Sequence, residues 1–341
     1  MSELGVDLMS PSGWLPLVFA LVMALSMLAY VVLDGFDLGV GALLDSADSL
    51  EHKDMMIASI GPFWDANETW LVLMGGTLFG AFPLAYSTIL QALYAPIYLM
   101  ILGLILRSVA FEFRENAINK QPWNLMFGLG SVLAAAAQGI CLGTVLDGIP
   151  TDASGHFNGT PWLWLNWHSL MVSLTLVQGY VLIGSTYLIL KTSGDLQQLH
   201  FKTAKIAAAA TLAGALVITV SSPLLSQELR IRIFDPAFLP AFILLPLAGL
   251  SLVALLFRSL LRQEDTWPFA YTCLLFLLSF LGLGLMLFPA IIPPSVTIYQ
   301  AHSSITSMVF MLTFIGLLIP IMLFYNIYNY LTFQGKVVDH L

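Results

Sequence analysis

Runs of apolar residues, each about as long as a membrane-crossing helix and broken by short clusters of Pro, Gly and charge, follow one another along the whole chain. About 20 apolar residues in a helix cross the hydrocarbon core of a bilayer. Cutting the runs at their breakers predicts nine spans, at 14–44, 64–82, 85–113, 123–146, 162–191, 203–224, 237–258, 267–289 and 303–331. The second is the weakest, because Asp65, Asn67 and Glu68 stand at its start and a re-entrant or partly buried helix competes there. The longest polar loop, 147–161, is too short to be a soluble domain, so the pattern describes a single membrane domain over 1–341. No basic segment or small-residue cleavage site precedes the first run, which therefore reads as a retained span rather than a signal peptide.

Charge tests the count of spans. With nine, Lys53, Arg107, Arg114, Lys120, Lys191, Lys202, Lys205, Arg258, Arg262 and Lys336 fall on one side, and only Arg230 and Arg232 on the other. Positive residues gather on the cytoplasmic side of membrane proteins, so the N-terminus is expected outside and the C-terminus in the cytoplasm. An eight-span arrangement scatters the same residues over both faces. Only 9% of residues are charged and the net charge is −8, which leaves no basic surface for nucleic acid. The two cysteines, Cys141 and Cys273, lie far apart within apolar runs and suggest neither a disulfide framework nor a thiolate metal site.

Two acids interrupt the end of the first span, in V-V-L-D-G-F-D-L-G-V-G at 31–41. At the helical period, Asp34, Asp37 and Gly41 lie within about 60° of one another, and Gly35 and Gly39 form a small-xxx-small pair on nearly the opposite side. The glycines should pack on one helix while the acids look toward others. An intramembrane carboxylate usually faces a bundle interior or a water path and marks proton or ion movement; solvation at the interface is the plainer alternative. A second cluster, S-I-G-P-F-W-D-A-N-E-T-W at 59–70, brings Asp65 and Glu68 to the same side, and Arg107 and Glu112 end the third span there. An arginine among these acids would keep one charged and leave others free to take up protons, although snorkelling to head groups is the plainer role for Arg107. Of the six histidines, His52, His200 and His340 are expected in cytoplasmic loops or the tail and His156 in the outer loop, all solvated. His168 and His302 lie near outer span ends; no paired spacing points to haem or metal.

D-G-F-D-L-G-V-G at 34–41 and S-I-G-P-F-W-D-A-N-E-T-W at 59–70 resemble subunit II of the cytochrome bd-type quinol oxidases. So do Q-G-Y-V-L-I-G-S-T-Y-L at 178–188, F-P-A-I-I-P-P-S at 288–295 and P-I-M-L-F-Y-N-I-Y-N-Y at 320–330. The resemblance implies an all-α membrane protein of two four-helix bundles and a peripheral helix. On the nine spans these are placed at about 14–146 and 203–331, with the peripheral helix at about 162–191. It implies a partner, subunit I, that holds two haems b and one haem d, with no haem or metal ligated by this chain. The complex reduces O2 to water with electrons from ubiquinol or menaquinol in the bacterial cytoplasmic (inner) membrane. The resemblance also leaves room for a bound quinone or lipid and for small single-helix accessory subunits. By the same resemblance a proton path runs through Asp34, Asp37, Asp65 and Arg107, with Glu68 and Glu112 as secondary candidates. Some members carry a histidine before the Trp-Asp pair, where this chain has Phe63. A proton- or cation-coupled secondary transporter is the rival reading, and a pure assembly scaffold a third.

Overall fold

The structure, a computed structural model, describes residues 7–225 and 227–337. In chain order its helices are α1 (Pro11–Leu43), α2 (Leu50–Ile60), α3 (Trp64–Ala81), α4 (Pro83–Ala92), α5 (Tyr94–Arg114), α6 (Gln121–Asp147), α7 (Trp167–Lys191), α8 (Gly194–Leu225), α9 (Gln227–Ile233), α10 (Leu239–Leu261) and α11 (Trp267–Leu287). A two-stranded antiparallel hairpin, β1 (Ala290–Ile292) and β2 (Val296–Thr297), then leads through α12 (Ile298–Ala301) to α13 (Ile305–Thr332). Among the described residues eight helices are long and apolar enough to cross a membrane, or nine if the bent pair α3–α4 is counted as one span.

Proline explains where the third span departs from expectation. The sequence predicts one helix over 85–113, but the chain turns by 118° between α3 and α4 and starts again at Tyr94. Pro83 lacks an N–H and pushes the residue before it out of helical geometry, and Phe82 sits at φ −133°, ψ 61°. Helix α4 then lies beneath the 147–161 loop, to which Thr88 donates a hydrogen bond at the Gly155 carbonyl (3.0 Å), and it also packs against β1. The apolar cluster of Phe19, Phe82, Ile149, Ile292 and Met308 closes this end of the molecule, the face on which α1 begins.

Helix α1 packs on α3, α6 and α7, α5 packs on α6, α7 also packs on α8 and α11, and α10 packs on α11. The segment at 162–191, where the resemblance placed a peripheral helix, holds α7, the most enclosed of these spans, 67% buried over its apolar window and packed against α1, α6, α8 and α11. Its small residues account for this: a Cβ on Gly184 would lie 2.5 Å from the Gly39 carbonyl carbon, and one on Gly39 1.8 Å from the Tyr180 carbonyl oxygen. Backbones touch there, as small-residue stripes allow in membranes. Helix α13 leans on α3 and α1 and is 11% buried. The expected division of α1 holds, because Gly35 and Gly39 meet α7 while Gly41 meets Ser131 and Phe127 of α6.

Candidate functional site

In its last three turns α1 presents Asp34 and Asp37, both with no exposed surface. Helix α5 brings Arg107, 1% exposed, whose Nη2 donates to Asp34 Oδ1 at 2.7 Å and to Glu68 Oε1 of α3. One guanidinium therefore joins three spans through two carboxylates. Asp37 is held separately: Asn67 donates to its Oδ2 at 2.8 Å, and Asn67 Oδ1 accepts from the Tyr330 hydroxyl of α13 at 3.2 Å. Asp34 Oδ2, Asp37 Oδ1 and Arg107 Nε and Nη1 are buried and take no hydrogen bond from the described residues. Charges are tolerated in an apolar interior only when paired, and these pairs are incomplete.

The structure thus brings Asp34, Asp37, Glu68 and Arg107 into one region and leaves Asp65 and Glu112 exposed, with no ion pair to the cluster among the described residues. Asp65 stands in the first turn of α3, one turn from Glu68 toward the face on which the chain ends. That face is closed by aromatic residues and the chain's tail. Phe63 stacks on Tyr330 at 4.5 Å between centroids, and Lys191 lies 5.6 Å from the Phe63 ring centre. Lys191 donates to the Phe333 carbonyl (2.7 Å), Val337 N–H donates to the Lys191 carbonyl (2.8 Å), and Lys336 pairs with Asp265 at 2.6 Å.

Three residues that the sequence reading did not single out extend the site. Tyr180 of α7 donates to Gln138 Oε1 of α6 at 2.7 Å, and Gln138 Nε2 donates to the Tyr30 hydroxyl of α1 at 2.7 Å. Tyr30 lies four residues before Asp34, and Gln138 is a lone amide in an alanine run, A-A-A-A-Q. Those two signals were available. Asn67, already in the acid-rich motif, is the other functional partner that counting charges passes over.

A second arginine cluster lies toward the chain-ending face. Arg114 donates to Asp54 Oδ1 (2.6 Å) and to Asn124 Oδ1 (2.5 Å), and Lys120 donates to Asp54 Oδ2 (2.9 Å). Partial burial pushes the Asp54 carboxyl up, but the hydrogen bonds from Lys120 and Arg114 outweigh it and the net position is below the ordinary carboxylate range. Of the histidines, His200 departs from expectation: it is fully buried at the start of α8, a helix that begins nine residues before the predicted sixth span. His168 is buried 2.6 Å from an Asp147 carboxylate oxygen, His156 is exposed, and His340 falls outside the described residues. No group of three His, Cys, Asp or Glu placed to hold a metal ion occurs among the described residues.

Eight or nine apolar spans among the described residues, wrapped around an incompletely paired arginine–carboxylate cluster, define a polytopic helical membrane protein with an ionisable site inside it. Residues 15–333 match the family described as cytochrome bd terminal oxidase subunit II, and the chain belongs to that family. It is similar to cytochrome bd-I ubiquinol oxidase subunit 2 of Escherichia coli K12, 27% identical with 93% of each chain covered. Cytochrome bd ubiquinol oxidase subunit 2 of Bacillus subtilis 168 is also 27% identical, with 93% of this chain and 95% of that one covered. The fold is shared with a chain in the structure of bd oxidase from Geobacillus thermodenitrificans, at a TM-score of 0.75 and 18% identity over 94% of this chain and 98% of that chain. The protein is accordingly a multi-span inner-membrane subunit of a quinol oxidase, an oxidoreductase complex, and membership of this family implies a subunit I partner.

Proposed function

We propose that this chain conducts protons from the cytoplasm into the oxidase complex, while scaffolding a subunit I that carries all the haem. The observation that supports it best is the buried Arg107, shared between Asp34 and Glu68, with carboxylate and guanidinium atoms left unpartnered in a membrane interior. One positive charge matches one carboxylate and leaves the other free to exchange a proton, which a purely structural pair would not need. On this reading the basic, chain-ending face is cytoplasmic, and Asp65 gathers protons at its exposed position. Asp37, steadied by Asn67, and Asp34, steadied by Arg107, pass them inward. The haems expected in subunit I, two of type b and one of type d, would supply electron transfer and oxygen chemistry when bound. This chain supplies the consumed protons from one side of the membrane, so turnover does electrical work.

The test is to replace Asp34 and Asp37 singly by Asn in the assembled complex and to measure quinol-driven oxygen consumption with proton uptake in vesicles. Both should fall together by tenfold or more, on the order of the loss of a proton-transfer group. Normal uptake in a normally assembled Asp34→Asn complex would rule the route out.

A further inference from the structure

The hydrogen-bonded chain from Tyr180 through Gln138 to Tyr30 is not used by the route just described, yet its hydrogens have only one arrangement that leaves nothing wasted. A carboxamide accepts at oxygen and donates at nitrogen. Tyr180 fills Gln138 Oε1 at 2.7 Å, so Gln138 Nε2 is turned to Tyr30 and donates to its oxygen at 2.7 Å. The Tyr30 hydroxyl, already an acceptor, keeps its own proton to give. Asp34 stands one helical turn along α1, at the spacing where side chains on one helix face meet. Asp34 Oδ1 holds Arg107, while Oδ2 is buried and takes no hydrogen bond of ordinary geometry.

Turning the amide over reverses every bond in the chain. Tyr30 would then spend its proton on Gln138, the Tyr180 proton would face no acceptor, and Asp34 Oδ2 would stay bare. The Tyr180 ring lies parallel to Phe276 and against Gly35, and its hydroxyl has no hydrogen-bond partner besides Gln138 among the described residues. A buried donor without an acceptor is costly, so the first arrangement is favoured.

We infer that Tyr30 donates to Asp34 Oδ2, and that Gln138 and Tyr180 are positioning residues that fix the direction of that donation from α6 and α7. Helices α6 and α7 thereby set the hydrogen bonding of a carboxylate on α1. The inferred hydrogen bond rests on the Tyr30–Asp34 spacing and the unpartnered Oδ2; its importance for turnover rests on the proton route proposed above.

Infrared difference spectra of the assembled complex test it, with the Asp34 signal, protonated or ionised, defined by subtracting the Asp34→Asn spectrum. Tyr30→Phe should shift that signal, and Tyr180→Phe should shift it in the same direction and by less, because the freed amide can turn over. Tyr271→Phe, in a remote stacked pair with Trp267, should leave it in place. Oxidase turnover in Tyr30→Phe should fall about tenfold, the scale of one hydrogen bond to a charged group. An unmoved Asp34 signal in Tyr30→Phe, with the complex assembled and its haem spectrum intact, overturns the inference; a signal that moves in Tyr30→Phe but not in Tyr180→Phe overturns the positioning role. If Tyr30→Phe does not assemble, Tyr180→Phe and Gln138→Leu carry the test together, and an unmoved Asp34 signal in both overturns the inference. A signal that shifts as expected while Asp34→Asn turns over normally sinks the proton route and leaves the hydrogen bond standing.

Discussion

Arg107 and Arg114 stand two helical turns apart on α5, both buried, at 1% and 4% exposure, and both bound to carboxylates. They do different work. Arg114 meets Asp54 and Asn124, and Lys120 meets the second Asp54 oxygen, so each oxygen of that partly exposed carboxylate has a donor. Arg107 instead serves two carboxylates with one nitrogen and leaves Nε and Nη1 without a partner among the described residues. The first arrangement straps α2 to α5 and α6 at the membrane edge. The second is too incomplete to be there for stability alone, since buried pairs hold a fold no better than apolar packing does. Completeness of pairing, more than burial of the arginine, separates a strap from a site.

The contrast can be broken most sharply at Arg107. Replacing it by Leu strands Asp34 and Glu68 beside each other in the membrane, and the assembled complex should lose about 3–5 kcal/mol of stability, read as a large drop in thermal midpoint and yield. Arg114→Leu should cost less, about 1–2 kcal/mol, because Asp54 keeps Lys120 and reaches water.

Acid should sharpen the difference further. Asp54 lies below its unfolded value, so its contribution to stability is present at neutral pH, above the unfolded carboxylate value of about 3.9, and is lost as pH falls through the lower folded value. The midpoint gap between wild type and Asp54→Asn should therefore close on acidification. That gap is small from the start, under about 1 kcal/mol, because the carboxylate is partly exposed and screened by water. Smallest of all is the salt effect: raising ionic strength, with a screening length of about 10 Å at 0.1 M, should narrow the Asp54→Asn gap and leave the Arg107→Leu loss unchanged.

Much of this was legible in the chain itself. Apolar length gave the spans, the basic residues gave their count, and the helical period turned Asp34 and Asp37 away from the Gly35 and Gly39 face that packs on α7. Depth was not legible. Asp65 and Glu68 share a face of α3 only about 60° apart, so periodicity cannot tell that one is exposed and the other reaches Arg107. The sharp turn at Phe82 was hidden because a Pro between apolar runs marks a boundary without saying where the chain goes next. The enclosure of α7, at the segment where the resemblance placed a peripheral helix, was not legible because hydropathy scores an apolar helix alike whether lipid or protein surrounds it. Tyr30, Gln138 and Tyr180 escaped because uncharged side chains reveal a network only once three helices are placed side by side.

The wiring of the cluster also sets an order in time. Asp34 is made 73 residues before Arg107, and Asn67 263 residues before Tyr330. At a synthesis rate of about 5–20 residues per second, the first span must wait on the order of ten seconds with its acids unpaired. The acids lie in the last turns of that span, so the nascent chain can park them at the membrane surface until the later helices arrive to draw them in. The cluster is therefore a product of late assembly, and a ribosome stalled before residue 107 would hold a chain whose first helix has every reason to stay shallow.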